Sequence, residues 1–481
     1  MLTMLQLAAN DNVDEYVTGI LEAQRALKRA VNAKLAPGAS FGEREVAILV
    51  AANEACRVDL QSDLQALADS QPDQLLVDGV LYERHLDGSA DYHSLCGPLP
   101  VCRPTYRRVG ERNGPTVVPM ELAAGLIEGA TPAMAYRVSL GYAQGPGRHA
   151  EEQIHADHRE PPSRSTLERT AKAIGTSVKT AAPRIEALLR QEEKLPEGTR
   201  AICAGLDRTS VPMEEPRDAD APSRRKRRSK PYVRKVPAPV DVNYRMAYVG
   251  TVSMVDADGE ALITRRYAAS GTEGPDGILA RMMADVRRAR EQNGGLSVGL
   301  LQDGAPEMWN LMRVALREQA GVPHWHEGVD RYHLNERLGE CLRYIEPDPG
   351  KRARKLKRWN DELDTDDDAI DRIAMWLADR IPLLHGEALE KLQAHWTFLV
   401  NNNDRMHYAT LRRAGLPCGS GATEGACKSV VMIRAKGCGQ RWHEEGVNAA
   451  LTLRAIYMSE RLPTLWTHFA KSYVADVKAA A

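Results

Sequence analysis

The stretch whose reading decides the fold is SVGLLQDG, Ser297 to Gly304, followed by the helical pattern APEMWNLMRVALREQA. Val298, Gly299, Leu300 and Leu301 form a short apolar run that meets an acid and then a glycine, which predicts a buried strand closed by a turn. Such a strand delivers Asp303 to a sheet edge, and in open α/β sheets ligands gather beyond the carboxyl ends of the strands. Upstream, AICAGLDRTSVP has the same grammar and delivers Asp207. Downstream, CGSGATEGACKSVVMIRAKGCGQRW places Glu424 at a predicted helix start. Three carboxylates gathered at one sheet end would hold divalent metal for phosphate chemistry.

Working outward, YRMAYVGTVSMV, the turn from Asp256 to Gly259 and EALITRRYA predict a β-hairpin. GPDGILARMMADVRRAREQN predicts an amphipathic helix, EMWNLMRVALREQA another, and GVPHWHEGVDRYH a short strand ending near Asp330. Strand, hairpin, helix, strand, helix, strand is the order of an α/β, ribonuclease H-like core: a mixed five-stranded sheet with helices, whose first and fourth strands are neighbours. Asp207 and Asp303 would then share a metal although 96 residues separate them. The competing acids Asp218, Asp220 and Asp241 fall in a polar insertion off the strand.

That insertion, a basic loop over 214–240, includes Arg224, Arg225, Lys226, Arg227 and Arg228. Its prolines, charge and lack of periodicity predict a mobile loop. Phosphate binding is one reading, with a salt slope near −0.9 per contact; a solvated loop without a partner is the other. Residues 335–415 show helical patterning without strand signals and predict an all-α insertion. Residues 416–481 are expected to return to the core through the Glu424 helix and to finish in helices, so that 200–334 and 416–481 together make the catalytic core.

Ahead of the core, 1–72 reads as a helical packing or dimerisation region. Residues 73–119 carry short β-like runs between Asp-Gly, Gly-Pro and Asn-Gly turns and predict a small β element. Residues 120–199 return to helix as a DNA-binding region. There Ser165 and Glu168 suggest a capping box, Leu167, Ala171, Ile174 and Val178 line one face, and Arg164, Arg169, Lys172 and Lys179 are left to others. A short helix, a turn and a basic helix is the pattern of a helix-turn-helix reader of DNA; an amphipathic helix with a solvated basic face fits equally.

The 481 residues call for two to four domains. The 64 Lys and Arg nearly balance the 65 Asp and Glu, so affinity for nucleic acid must come from local patches. No apolar stretch approaches the roughly 20 residues of a membrane span, and the N-terminus lacks a basic segment ahead of a long apolar core, so a cytoplasmic protein is expected. The eight cysteines include no Cys-x-x-Cys pair. His93, Cys96 and Cys102 lack a convincing fourth zinc ligand.

With the carboxylates placed, the chain resembles a DDE transposase of a bacterial insertion sequence, most closely the Kra-type family. LDRTSVP, LQDGAPEMWNL, VDRYH and the block NNNDRMHYATLRRAGLPCGSGATEGACKSVVMIRAKGCGQRW carry the resemblance, and SLCGPLPVCRPTYRR is similar to a β segment ahead of the catalytic domain in several transposase families. It implies a bacterial, nucleoid-associated enzyme in which Asp207, Asp303 and Glu424 bind two Mg²⁺ ions, with Mn²⁺ as a substitute. Asp330 and His333 match an accessory Asp-x-x-His pattern. Lys428, Arg434, Lys436 and Arg441 would follow Glu424 toward the phosphates of the element's ends. The implied partners are double-stranded DNA, at the inverted repeats and at the target, and further copies of the chain in a dimer or higher assembly. A domesticated, non-catalytic DNA-binding protein and a nuclease that cuts without joining are the alternatives.

Overall fold

The computed structural model describes residues 13–216, 240–303 and 305–480. The chain is mixed α/β, with two five-stranded sheets, and it divides into two units, Met1–Ile174 with Trp466–Ala481, and Gly175–Leu465.

The first unit opens with two helices, Val13–Lys34 and Phe41–Asp69. Ser40 starts the second one: its hydroxyl accepts from the Glu43 amide at 3.2 Å while Glu43 accepts from the Ser40 amide at 2.7 Å, a reciprocal cap that satisfies two orphan donors. Strands β1 (Gln74–Val77), β2 (Val80–Ser94), β3 (Gly97–Arg108) and β4 (Thr116–Val117) form an antiparallel meander. The second helix docks on β3 through Gln65, which donates to the Cys102 carbonyl at 2.8 Å and accepts from its amide at 2.9 Å.

Two expectations are corrected here. The chain does not finish in helices: Val477–Ala479 pairs antiparallel with β1, and 466–481 falls in the first unit. A three-residue strand is too short to show alternation, and it forms because β1 offers an open edge. The 120–199 region contains the helix Arg164–Glu192, 29 residues long, and the division between units falls within it. Its cap is Ser163, whose hydroxyl accepts from the Thr166 amide at 3.3 Å, instead of Ser165. Pro161 and Pro162 disfavour helical backbone before them, so Ser163 is the first residue free to cap. Leu167, Ala171, Ile174 and Val178 are all buried along one face.

In the second unit, β5 (Ala201–Pro216), β6 (Val240–Val255), β7 (Ala261–Ser270), β8 (Ser297–Gln302) and β9 (His326–Val329) lie in the order β7-β6-β5-β8-β9. β5, β8 and β9 run parallel, whereas β6 and β7 are antiparallel neighbours. Asp241 stands on β6 opposite Glu215, a correction to its expected place in a loop; Arg224, Arg225, Lys226, Arg227 and Arg228 lie outside the described residues. Between β9 and Glu424 come the helices Arg331–Ile345, Pro349–Leu363, Ala369–Ala378, Gly386–Asn401 and Tyr408–Arg413. Their apolar residues join one core with the sheet, from Ala201 through Val286, Trp309 and Leu338 to Leu411.

A buried ionic network closes this unit behind the sheet. Asp285 accepts from Arg190 at 2.6 Å, from Arg461 at 3.1 and 3.2 Å and from the Tyr267 hydroxyl. Burial alone would raise its carboxyl, but Arg461 and Arg190 overcome that and hold it below the ordinary aspartate range. Asp285→Ala is expected to remove the buried carboxylate that Arg190 and Arg461 share, leaving them Glu186 and Glu193 alone, and to cost about 3 kcal/mol, read as a lower urea midpoint. Because a depressed carboxylate contributes stability that is present above its unfolded pKa and lost as pH falls through its folded one, the difference between wild type and variant should narrow only under acid conditions.

Candidate active site

Register brings the first two carboxylates together. Ala204 pairs with Leu300 on adjacent parallel strands, so three residues further along, Asp207, within β5 and opposite Val249 of β6, and Asp303, just beyond the end of β8, fall at the same level. Both strands are buried up to that point, Leu206 and Gln302 each 2% exposed, whereas Asp207 is half-buried and Asp303 exposed; β8 ends there, but β5, contrary to the expected strand end, runs on to Pro216 with Val211 and Met213 buried. The strand order also reverses here, since β6 and β7 extend the sheet to one side of β5 and β8 and β9 to the other. Such a switch point opens a crevice, here at the carboxyl ends of β8 and β9 and beside the middle of β5.

Glu424 arrives from above on a continuous helical stretch over 421–435. Gly205 permits the approach, because a Cβ there would stand 2.3 Å from Thr423 Oγ1 and 2.9 Å from the Leu301 carbonyl oxygen. Thr423 is buried and its hydroxyl lies 2.7 Å from that of Thr251, a bond that holds the helix on the sheet. From Cys427 to Met432 the helix widens to π geometry, a distortion frequent at functional sites. The Cys427 thiol, pushed above its ordinary range first by burial and then by Asp207, stays protonated and donates to Asp207 Oδ2 at 3.2 Å.

The electrostatics record how the acids converge. Asp207 accepts from the Arg208 amide at 2.6 Å and from Cys427. Its carboxyl is nevertheless held above the ordinary range, first by burial and then by the negative charges of Asp303 and Glu424. Asp303 caps the following turn by accepting from the Ala305 amide at 3.1 Å. Glu424 pairs with Lys428 at 2.7 Å. Among the described residues no three His, Cys, Asp or Glu side chains already stand as a ligand set; the three acids share an electrostatic site while each keeps a protein partner.

Asp330 lies at the same sheet end, 3% exposed, and its oxygens are taken. Oδ1 accepts from the amides of Tyr332 and His333 at 2.7 and 3.1 Å, and Oδ2 from the amide and hydroxyl of Ser420 at 2.5 and 2.7 Å. It caps the helix Arg331–Ile345 and pins the Gly-Ser-Gly segment that leads to Glu424. His333 faces Glu336 at 3.4 Å on its own helix. Tyr332 is a further residue of this site, outside those expected from the sequence. Its ring is 63% exposed, its hydroxyl bonds Glu336 and senses the charges of Glu424 and Lys428, and only its place inside the Asp-x-x-His pattern hinted at it.

The candidate cations behave differently from one another. Lys428 and Arg441 reach solvent, and Lys436 donates to Thr209 Oγ1 at 2.8 Å on the strand that carries Asp207. Arg434 departs from expectation: it is 2% exposed, with its guanidinium 4.8 Å from the Trp442 ring centroid, because stacking on an indole and burial of the methylene stem outweigh hydration. Trp442 lies alongside β5, exchanging backbone bonds with Pro212 and Glu214 at 3.1 and 2.8 Å. In the first unit Arg169 is exposed, Lys172 is half-buried, and Arg164 pairs with Glu151 at 2.7 Å.

Asp330→Ala is expected to strand buried donors and lower unfolding stability by about 1–3 kcal/mol, as measured by denaturant titration. Asp207→Asn is expected to do the reverse and raise the melting temperature of metal-free protein at neutral pH. The sign follows from the raised carboxyl: its cost is present above the folded pKa and vanishes below the unfolded value of about 3.9, so the gain should disappear on acidification. A gain that is equal at every pH would mean that the charge of Asp207 is not the cause. No protein-family model matches the chain, and no curated protein matches it.

Proposed function

We propose that the chain is a DDE transposase with a ribonuclease H-like core, which binds the terminal inverted repeats of an insertion sequence, cleaves DNA at their 3′ ends and joins them to target DNA. The observation that carries this reading is the level placement of Asp207 and Asp303 on adjacent parallel strands, with the Glu424 helix seated over Gly205. The strand order and the antiparallel hairpin of β6 and β7 agree with it.

The donor set fits Mg²⁺, or Mn²⁺ in its place. Asp207, Asp303 and Glu424 would supply hard oxygen ligands, and divalent charge would offset both the burial and the neighbouring negative charges that raise Asp207. When bound there, divalent ions would supply activation of a water or a 3′-hydroxyl and stabilisation of the leaving oxygen. The chain's own groups do the positioning. Cys427 and the Arg208 amide orient Asp207, and Lys428, which pairs with Glu424, holds an ammonium where a phosphate would meet it. Water and a 3′-hydroxyl are interchangeable nucleophiles at such a site, so cleavage and joining need only one.

DNA affinity in this reading comes from local cations. Lys428 and Lys436 lie beside the acids, Arg441 is exposed, the helix Pro349–Leu363 exposes Lys351, Arg354, Lys357 and Arg358, and Arg164, Arg169 and Lys172 serve the first unit.

The test is cleavage and joining of a labelled duplex carrying the gene's flanking end sequence, with Mg²⁺ or Mn²⁺, by wild type and by Asp303→Asn. Metal-dependent 3′ cutting and joined products are expected, with loss of at least about 10²-fold in the variant while DNA binding persists. Cutting without joining would select the nuclease. Binding without cutting by either protein would select the non-catalytic alternative, and cutting that survives in Asp303→Asn would overturn the site.

A further inference from the structure

The helices Val13–Lys34 and Phe41–Asp69 form a hairpin that has almost no interior. From residue 18 to residue 60, Val31 is its one buried large apolar side chain, whereas Ile20, Leu21, Phe41, Ile48, Leu49, Val50, Val58 and Leu60 are each more than a third exposed. The run VAILVAA at 46–52 is apolar on every side, and helices that are apolar all round belong inside an assembly. Between the helices lies an open groove of about 900 Å³ lined by small apolar residues, among them Ala30, Val46, Ala47, Val50 and Ala51. Contiguous apolar surface of this kind marks an interaction site.

We infer that this hairpin is the self-association surface of the chain, pairing antiparallel with the hairpin of a second copy to form a four-helix bundle. Charge selects both the occupant and the orientation. The half of the hairpin nearest its loop, residues 25–45, carries the cations Arg25, Lys28, Arg29, Lys34 and Arg44 against two acids. The far half carries Glu22, Glu54, Asp59, Asp63 and Asp69 against Arg57. Each hairpin thus has a basic end and an acidic end, and a two-fold axis between two copies places each basic end on the partner's acidic end. A parallel arrangement would set like charges together.

The area is of the right order. A helix of this length runs roughly 30 Å, and two side by side at about 10 Å spacing present a face of roughly 600 Å², close to the about 800 Å² per partner of a stable interface. Apolar burial supplies the affinity and the charges supply register, as complementary potentials do at interfaces. The pairing is independent of the proposed chemistry and needs no DNA.

The test is the mass of the full-length chain in solution without DNA, by sedimentation or light scattering at micromolar concentration. Wild type is expected at twice the 53.1 kDa chain mass and the double variant Leu49→Glu/Val50→Glu at the single mass. Both residues are exposed, so the substitution leaves the fold intact and circular dichroism should not change. At low salt Lys28→Glu/Arg29→Glu should weaken the dimer by at least tenfold in dissociation constant, and adding Asp59→Lys/Asp63→Lys in the same chain should restore it. A monomeric wild type overturns the inference, as does a dimer that Leu49→Glu/Val50→Glu leaves intact. Failure of the charge reversal to be rescued overturns the antiparallel arrangement.

Discussion

Four parallel residue pairs, Ala201 with Ser297 through Ala204 with Leu300, hold β5 against β8, and the acidic sheet end depends on that register. Side chains alternate between faces along a strand, so a slip of one residue would send Asp207 and Asp303 to different sides. The burial of both strands up to their acids makes a slip costly, because it would carry apolar side chains toward solvent and the acids toward the core. The same force that builds the sheet thereby aligns the carboxylates.

Seating a third acid over two others requires the protein to work against repulsion. It does so with the Thr251 and Thr423 hydroxyls, the space left by Gly205 and a thiol, not a cation, beside Asp207, while Lys428 neutralises Glu424. Asp330 adds a cap whose acceptors face amides and hydroxyls. A carboxylate saturated in this way holds two chain segments together, so Asp330 is a positioning residue. Buried ion pairs gather away from the crevice, in the network around Asp285 and Glu186, where strong charge compensation rigidifies without competing for a ligand.

Much of the second unit was legible because its elements are long and periodic. The hairpin turn from Asp256 to Gly259, the helix after it and the apolar run before Asp303 each declare themselves within a dozen residues. The buried face of Leu167, Ala171, Ile174 and Val178 followed from helical spacing alone. Arg434 was misjudged because a cation on a helix reads as solvated until the indole that covers it, eight residues on, is folded back over it. Ser163 was displaced by Ser165 in the reading because both precede the same helical pattern. The strand at Val477–Ala479 was missed because nothing in three residues announces a partner four hundred positions away.

The sequence by itself determined which residues turn, which are buried and where acids end apolar runs, since these depend on local periodicity and on the backbone preferences of glycine and proline. Only the tertiary structure decided that β5 and β8 pair in the register that levels Asp207 with Asp303, that Cys427 meets Asp207, and that Asp330 spends its oxygens on Ser420. Those contacts join residues about ninety to more than two hundred positions apart. No local preference encodes such a distance, and it is settled when the whole core closes over one set of apolar side chains.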